Sequence, residues 1–504
     1  MARVEPMLLA ELLRGLFEEP DAHALEVPVT DISTDSRSIA RGGLFLACRG
    51  LSSHGLDYLD DAIEAGCAAV AWEPVSDRAA PTLPQAVAGL AVPGLSGLLG
   101  ELSDRFFAAP SAELQVSAIT GTNGKTSVAF ILAQALQRLG ERAAYIGTLG
   151  WGMPGSVLTP SALTTPAVID LHRELRALRD AGATQAVVEA SSHGLDQGRL
   201  DGLRLAVGAI TNISRDHLDY HRDYAAYQVA KSRLFTDLRP STAVINVGDD
   251  GVRELAAGLP ESLPRLSVAL IRNDRSSPAA QLLGRLNAVR RSGIGLRFGG
   301  DFGDATLDSS LWGEFNAENL LVAAGCLLAL GFALRDAADA LAQCEAPPGR
   351  LQRVGASGPQ PEAVVDFAHT PAALREALRA IRQHSDGRLW LVFGCGGDRD
   401  TGKRAEMGAV AAEYADEIVL TDDNPRSEDP ETIAADVLSG IDEPAAVRRI
   451  ADRAGAIRFA LGEAAAEDVV LIAGKGHETQ QWFADGPVPF SDAATARDAL
   501  SGAV

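Results

Sequence analysis

The strongest constraint on how this chain can fold is a six-residue stretch, Gly121-Thr122-Asn123-Gly124-Lys125-Thr126, set between segments of different period. The apolar-rich run 114–119 precedes it. Beyond it, Val128, Ile131, Leu132, Ala135, Leu136 and Leu139 recur at the spacing of one helix face. The pattern predicts strand, glycine loop, helix. Such a loop offers backbone N–H groups and a helix N-terminus to an anion. Lys125 adds charge for outer phosphates, and the Thr126 hydroxyl suits Mg²⁺. The loop departs from G-x-x-x-x-G-K-[ST], because Ile119 stands where the first glycine belongs. On its residues alone, a nucleoside triphosphate site competes with a plain glycine turn.

At 504 residues the chain is long enough for about three domains of ~150 residues. The net charge of −22 argues against non-specific binding to nucleic acid or to an anionic membrane surface. It leaves open a small anionic substrate held in a local basic pocket. Five scattered cysteines show neither metal spacing nor a disulfide framework, which predicts a reducing, cytoplasmic setting. No apolar run approaches the ~20 residues of a membrane span. Glu5, Glu11 and Arg14 around Met7-Leu8-Leu9 do not read as a signal peptide. The chain is expected to act as a monomer on small molecules.

Composition and period suggest three α/β domains. Residues 1–108 alternate short strands and helices, with a loop around Pro81, Pro84 and Pro93. Residues 109–346 carry the glycine loop on a mostly parallel sheet, with strands expected at 143–147, 186–190, 207–213 and 242–247. A helix with Val168, Leu171, Leu175 and Leu178 on one face falls among them. A small antiparallel insertion is expected over 265–312. Residues 347–504, beyond Pro347-Pro348-Gly349, read as a Rossmann-like unit with strands at 363–367, 388–393, 417–421 and 468–472.

Chemistry should collect where parallel strands end. Glu189-Ala190-Ser191-Ser192-His193-Gly194 follows one strand, and Thr211-Asn212-Ile213-Ser214-Arg215-Asp216-His217 follows the next. A carboxylate such as Glu189 suits Mg²⁺, and His217 is an unusual ligand for it. The bland alternatives are a helix cap and a satisfied polar residue. Ser191-Ser192-His193 is not read as a nucleophile with its base, since no G-x-S-x-G elbow surrounds it.

Ordered motifs along nearly the whole chain resemble the Mur ligases, the cytoplasmic family that builds the peptide of bacterial cell-wall precursors. They are Thr120-Gly121-Thr122-Asn123-Gly124-Lys125-Thr126, Leu163-Thr164-Thr165-Pro166, Glu189 to Leu195, Asn212 to His221, Gly313-Glu314-Phe315-Asn316-Ala317-Glu318-Asn319, Gly349-Arg350, Asp366-Phe367-Ala368-His369-Thr370-Pro371 and Gly394-Cys395-Gly396-Gly397-Asp398-Arg399-Asp400. The resemblance implies an N-terminal substrate domain, a central P-loop-type ATPase domain and a C-terminal amino-acid-binding domain. It implies that ATP phosphorylates the free carboxylate of a UDP-linked muramoyl dipeptide, and that an amine attacks the acyl phosphate. Concentrated positive charge must hold the two anions together.

By resemblance, Gly121, Thr122, Asn123, Gly124, Lys125, Thr126, Ser127, Asn316, Arg350 and Asp366 bind ATP. Lys125, Glu189, His217 and Lys231 are the catalytic set. Two Mg²⁺ ions are implied, with Thr126, Glu189, His217 and Lys231 as ligands. Lys231 stands at the family's carbamoylated lysine, a modification drawn from CO₂ or bicarbonate that would turn a repelling ammonium into an anionic oxygen ligand. Taken by itself, Lys231 reads as a solvated helix lysine. Thr34, Ser36, Leu51, Ser52 and Ser53 match the uridine end of the substrate site. Thr164, Thr165, Ser191, Gln197 and Arg199 match its muramoyl-dipeptide end. Phe367 stands where the family often has tyrosine, so no hydroxyl role carries over.

Asp423-Asn424-Pro425-Arg426 carries the specificity. In the family an arginine at its fourth position accompanies meso-diaminopimelate, whose distal carboxylate suits a guanidinium fork that repels a lysine tail. Arg399, Gly474 and Glu478 match the remaining amino-acid contacts, with Glu478 toward the distal ammonium. L-lysine, or another diamino acid, is the alternative substrate. A P-loop hydrolase switch would need an acidic Walker-B strand, and a non-catalytic nucleotide module would leave Lys125, Glu189 and Lys231 without joint purpose. Folylpolyglutamate synthetase is disfavoured by Asp423 to Arg426 and by the first domain.

Overall fold

Short strands buried on both faces, each leading through a loop to a helix, build most of the computed structural model. It describes residues 5–16, 26–50, 53–76, 78–271, 279–355 and 360–502. Such strands call for a parallel sheet covered by helices. The chain packs as two units, one of residues 1–125, 140–245 and 249–265, the other of 126–139, 246–248 and 266–504.

The first unit opens with four parallel strands in sequence order: β1 (Ile32–Ser33), β2 (Leu44–Ala47), β3 (Ala69–Trp72) and β4 (Ala88–Ala91). The prolines around β4 hide it from a sequence reading, which takes the stretch as loop. Leu46 and Leu90 pack with Leu102 and Phe106 of α1 (Leu95–Phe106), and with Val168 and Ile169. Next come β5 (Gln115–Thr120), α2 (Lys125–Arg138), β6 (Ala143–Gly147), α3 (Val168–Asp180), β7 (Gln185–Glu189), β8 (Leu205–Ile210), α4 (Tyr224–Thr236) and β9 (Thr242–Asn246). The body of α2, from Thr126, belongs to the second unit. The parallel order is β9-β8-β5-β7-β6. Register sets Glu189 beside Ile119 and Ile210 beside Thr120. The carboxyl ends of these strands are therefore level, and the loops that follow share one sheet edge.

In the second unit, β10 (Arg265–Ile271) runs parallel to β11 (Leu282–Arg290), and β11, β12 (Gly293–Gly300) and β13 (Ala305–Ser309) form an antiparallel meander. The expected antiparallel insertion is thus confined to 282–309. Helix α5 (Phe315–Ala329) follows. The last sheet orders β14 (Gln352–Val354), β15 (Glu362–Asp366), β19 (Val469–Ala473), β16 (Leu389–Phe393), β17 (Glu417–Leu420) and β18 (Arg448–Arg449), parallel apart from β14. Leu391, Phe393 and Leu471 face one cluster; Val392, Val470 and Ile472 face the other. That alternation buries both faces, at about 1.5–3 kcal/mol for each large apolar side chain. A hairpin, β20 (Gln480–Phe483) and β21 (Gly486–Pro489), follows β19.

Trp312 and His384 tie the meander to this sheet. Their rings stack in parallel at 4.9 Å. His384 Nε2 accepts the Gly313 N–H at 2.8 Å, and Nδ1 lies 2.7 Å from the Arg290 carbonyl. A backbone N–H only donates and a carbonyl only accepts, so the ring is neutral with its proton on Nδ1.

Candidate active site

The glycine loop is shaped by a residue that has no side chain. Gly121 has φ +143°, and a Cβ there would collide with the Thr211 hydroxyl. The loop after β8 pins it. Thr211 Oγ1 donates to the Asn123 carbonyl (2.6 Å), as does Asn212 Nδ2 (3.1 Å), while Asn212 Oδ1 accepts the Asn123 N–H (2.9 Å). Thr122 Oγ1 accepts the Ser214 N–H and meets the Tyr227 hydroxyl, each at 2.9 Å. Two lysines converge here. Lys125 Nζ donates to the carbonyls of Gly121 (3.0 Å) and Thr122 (2.9 Å), and Lys231 Nζ donates to the same Gly121 oxygen (2.7 Å).

Lys231 is not the solvated lysine its sequence context suggests. It is 1% exposed, with Nζ 4.6 Å from the centre of the Tyr227 ring. Burial, then the charge of Lys125, drive its pKa well below the ordinary lysine value, against a weaker pull from Asp216. Thr126 and Ser127 form the buried first turn of α2.

Glu189 is fully buried at the end of β7. Its Oε1 accepts the Tyr145 hydroxyl and the Thr148 N–H (3.0 Å), and Oε2 accepts the Thr148 hydroxyl (3.3 Å). His217 adopts φ +52°, and its ring meets His193 edge-on at 4.9 Å. Among the described residues no group of three or more His, Cys, Asp or Glu is arranged to hold a metal ion.

The muramoyl-end residues form one linked group. Thr164 Oγ1 lies 3.1 Å from Thr148 Oγ1. Thr165 Oγ1 bonds to Ser191 Oγ (3.0 Å) and accepts the Ser191 N–H (3.0 Å). Arg199 donates to the Thr165 carbonyl (2.7 Å) and to Gln197 Oε1 (2.6 Å). Ser191 Oγ caps the following short helix by accepting the Gly194 N–H (3.0 Å), a positioning role rather than that of a nucleophile. Of the uridine-end residues, Thr34 and Ser53 are exposed and Ser36 is buried; Leu51 and Ser52 lie outside the described residues.

In the second unit, Asn316 donates to the Trp312 carbonyl (2.7 Å) and accepts from Asn319 (2.8 Å). Asp366, at the end of β15, accepts the N–H groups of Leu351 (2.7 Å) and Ala368 (2.8 Å), and burial raises its pKa against their pull. The Arg350 guanidinium lies 5.2 Å over the Phe367 ring.

Loops after the adjacent strands β19, β16 and β17 bring the amino-acid residues together. Arg426, at φ +56°, donates its N–H to the Trp482 carbonyl (3.0 Å) and Nη1 to the Gly397 carbonyl (2.6 Å), while Nε and Nη2 have no partner among the described residues. Arg399 is exposed and Pro425 buried. Asn424 donates to Glu478 Oε2 (3.0 Å), and its Oδ1 accepts from the Trp482 N–H and from Lys475 Nζ, both at 2.9 Å. Lys475 also donates to Glu478 Oε2 (2.8 Å). Gly474 has φ +115°, and a Cβ there would meet Asp423 Oδ2 at 2.5 Å. Behind the loop, Arg453 pairs with Asp492 at 2.7 and 2.8 Å, and it approaches Asp423 at 4.0 Å. The sequence reading gave no role to Lys475 or Arg453. Lys475 had a signal, a lysine between two glycines in a strand-end loop, whereas Arg453 had none.

A level-edged parallel sheet with a glycine loop and its lysine, and a second parallel sheet whose strand ends carry a charged pocket, fit the three-domain α/β ligase class. Three family descriptions match in succession: "Mur ligase family, catalytic domain" at residues 28–107, "Mur ligase middle domain" at 119–327 and "Mur ligase, glutamate ligase domain" at 349–476. A relative from Alkalilimnicola ehrlichii, UDP-N-acetylmuramoyl-L-alanyl-D-glutamate--2,6-diaminopimelate ligase, is 44% identical over 98% of this chain and 99% of its own. A relative of the same name from Xylella fastidiosa (strain 9a5c) is 44% identical over 98% and 97%. A solved structure of a ligase of that name superposes with a TM-score of 0.72 at 33% identity, covering 99% of both chains. The chain belongs to the Mur ligase family. Among the described residues no helix is long and apolar enough to cross a membrane.

Proposed function

We propose that this chain is an ATP-dependent amide ligase of peptidoglycan precursor synthesis that joins meso-2,6-diaminopimelate to UDP-N-acetylmuramoyl-L-alanyl-D-glutamate. The observation that carries the reading is the convergence of Lys125 and Lys231 on the Gly121 carbonyl inside a glycine loop. Positive charge from Lys125 and from the Mg²⁺ held beside it is what a triphosphate and a carboxylate need in order to approach each other, and Lys231 is placed to bear the metal-holding carbamate. Similarity along nearly the whole chain, at 44% identity, to relatives of one name supports the choice of substrates.

In this reading residues 1–108 bind the UDP-sugar, 109–346 bind ATP and 347–504 bind the amino acid. The glycine loop, with Thr126 and Ser127, holds the triphosphate, and Asn316, Arg350 and Asp366 are read as further nucleotide contacts. Thr34, Ser36 and the 51–53 loop take the uridine end. Thr164, Thr165, Ser191, Gln197 and Arg199 orient the dipeptide, so that its glutamate carboxylate attacks the γ-phosphorus and releases ADP. The amine of diaminopimelate then attacks the acyl carbon, phosphate leaves, and the amide forms. Arg426, with Asp423, Asn424, Pro425, Arg399 and Gly474, receives the distal end of the amino acid, and Glu478 faces its ammonium. Mg²⁺, held by Thr126, Glu189, His217 and a carbamate on Lys231, would neutralise the phosphate oxygens. The work takes place in the cytoplasm, by a monomer.

ADP release tests the whole. It should require both the UDP-dipeptide and the amino acid, and an oxygen label in the dipeptide's terminal carboxylate should appear in inorganic phosphate. ATP turnover indifferent to both substrates would make the chain a nucleotide switch instead.

A further inference from the structure

Lys475 is fully buried, a costly place for an ammonium unless its partners repay the loss of water. Its nitrogen reaches two of them, Asn424 Oδ1 at 2.9 Å and Glu478 Oε2 at 2.8 Å. Asn424 donates to the same Oε2 at 3.0 Å, so one oxygen of Glu478 takes two hydrogen bonds. Oε1 takes none among the described residues, and the Glu478 side chain keeps 34% of its surface open to solvent. The same Asn424 oxygen accepts the Trp482 N–H, whose carbonyl in turn accepts the Arg426 N–H. Lys475 therefore anchors, through one nitrogen, the side chains on both sides of the pocket. Arg453 holds Asp492 and approaches Asp423 behind the loop, Lys475 holds Glu478, and Arg426 enters the same pocket from the other side.

We infer that Lys475 is a positioning residue for the incoming amino acid. Its ammonium locks Oε2 of Glu478 and the Asn424 amide, so that Oε1 of Glu478 is presented to the substrate ammonium. The inference rests on the reading of this pocket as the amino-acid site. Lys475 touches no reacting atom; it acts by fixing the direction and the charge state of Glu478. Packing alone would affect every substrate alike. A positioning role affects only the amino acid, and it changes the pH at which the carboxylate must ionise.

The test is steady-state ligation by full-length Lys475→Met, with each substrate varied in turn. The KM for meso-diaminopimelate should rise about tenfold or more, the scale of one lost charge-assisted bond. The KM values for ATP and the UDP-dipeptide should stay within about twofold. Without the cation the Glu478 carboxyl titrates higher, so the acid limb of kcat/KM for diaminopimelate should move up by about one pH unit. In a Glu478→Gln background, adding Lys475→Met should cost little more, because the two act as one unit. If the methionine variant does not fold, Lys475→Gln, which keeps a donor but no charge, should show the same displaced limb. A uniform change in all three KM values, or an unmoved acid limb, overturns the inference alone. A wild-type protein that ignores diaminopimelate overturns the reading beneath it.

Discussion

In the cradle around Gly121 two lysine nitrogens share one carbonyl oxygen, whereas around Asp423 three carboxylates share two cations. The first place sets Lys125 beside a Lys231 whose pKa is driven down by burial, and the second sets carboxylates against cations. The means of construction differ as well. The cradle is a backbone turn that Gly121 allows and Thr211 and Asn212 pin. The pocket is made of long side chains whose charged ends are buried and tied to one another. A triphosphate suits the glycine loop and Lys125, and an ammonium suits the open side of the Glu478 carboxylate. A ligase that must gather an anion pair in one place and an amine in another needs both.

The largest expected effect breaks the cradle side. Lys231→Met should lower kcat on the order of 100- to 1,000-fold. The same change should raise the melting temperature of the ligand-free chain by about 2–4 °C, because a side chain whose burial drives its pKa down is replaced by an apolar one. A variant both inactive and less stable would mean that Lys231 is structural. Intact mass should also show the active wild type heavier by one CO₂; an unmodified, active lysine would end the carbamate proposal. On the pocket side, Arg426→Ala should raise the KM for meso-diaminopimelate about 10- to 100-fold and narrow its advantage over L-lysine. Equal losses for both amino acids would deny Arg426 its selective role.

The smallest effect lies outside both sites. Burial holds the His384 pKa below the ordinary histidine value of 6.5, so its folded form is neutral where the unfolded form begins to charge. Its contribution is complete above pH 6.5 and is lost as pH falls toward the lowered value. His384→Ala should therefore cost about 1–2 kcal/mol at neutral pH, less in acid, read by denaturant titration at both. A deficit that does not depend on pH would point to the Trp312 stack rather than to the two ring hydrogen bonds.

The cradle was legible in the sequence because its determinants are local: glycines, a lysine and a helix start within six residues. The strand-end residues Glu189 and His217 were legible for the same reason, since parallel strands announce where their loops must be. Other features depended on what packs from far along the chain. Strand β4 was masked by Pro81, Pro84 and Pro93, whose turn chemistry outweighs four small residues. The burial of Lys231 depends on Tyr227 and on the distant Gly121 carbonyl. Arg453 meets Asp492 across 39 positions, and no spacing rule reaches that far. Lys475 was visible as a letter between glycines, but its burial and its hold on Asn424 could be read only from the fold.

The central claim is that the cradle and the pocket belong to one reaction with one preferred amine. The most direct measurement offers the purified chain ATP, Mg²⁺ and UDP-N-acetylmuramoyl-L-alanyl-D-glutamate with a panel of amino acids, and follows ADP and amide together. The account predicts stoichiometric ADP and amide with meso-diaminopimelate, and little of either with L-lysine. Equal use of the two, or ADP formed without amide, would contradict it.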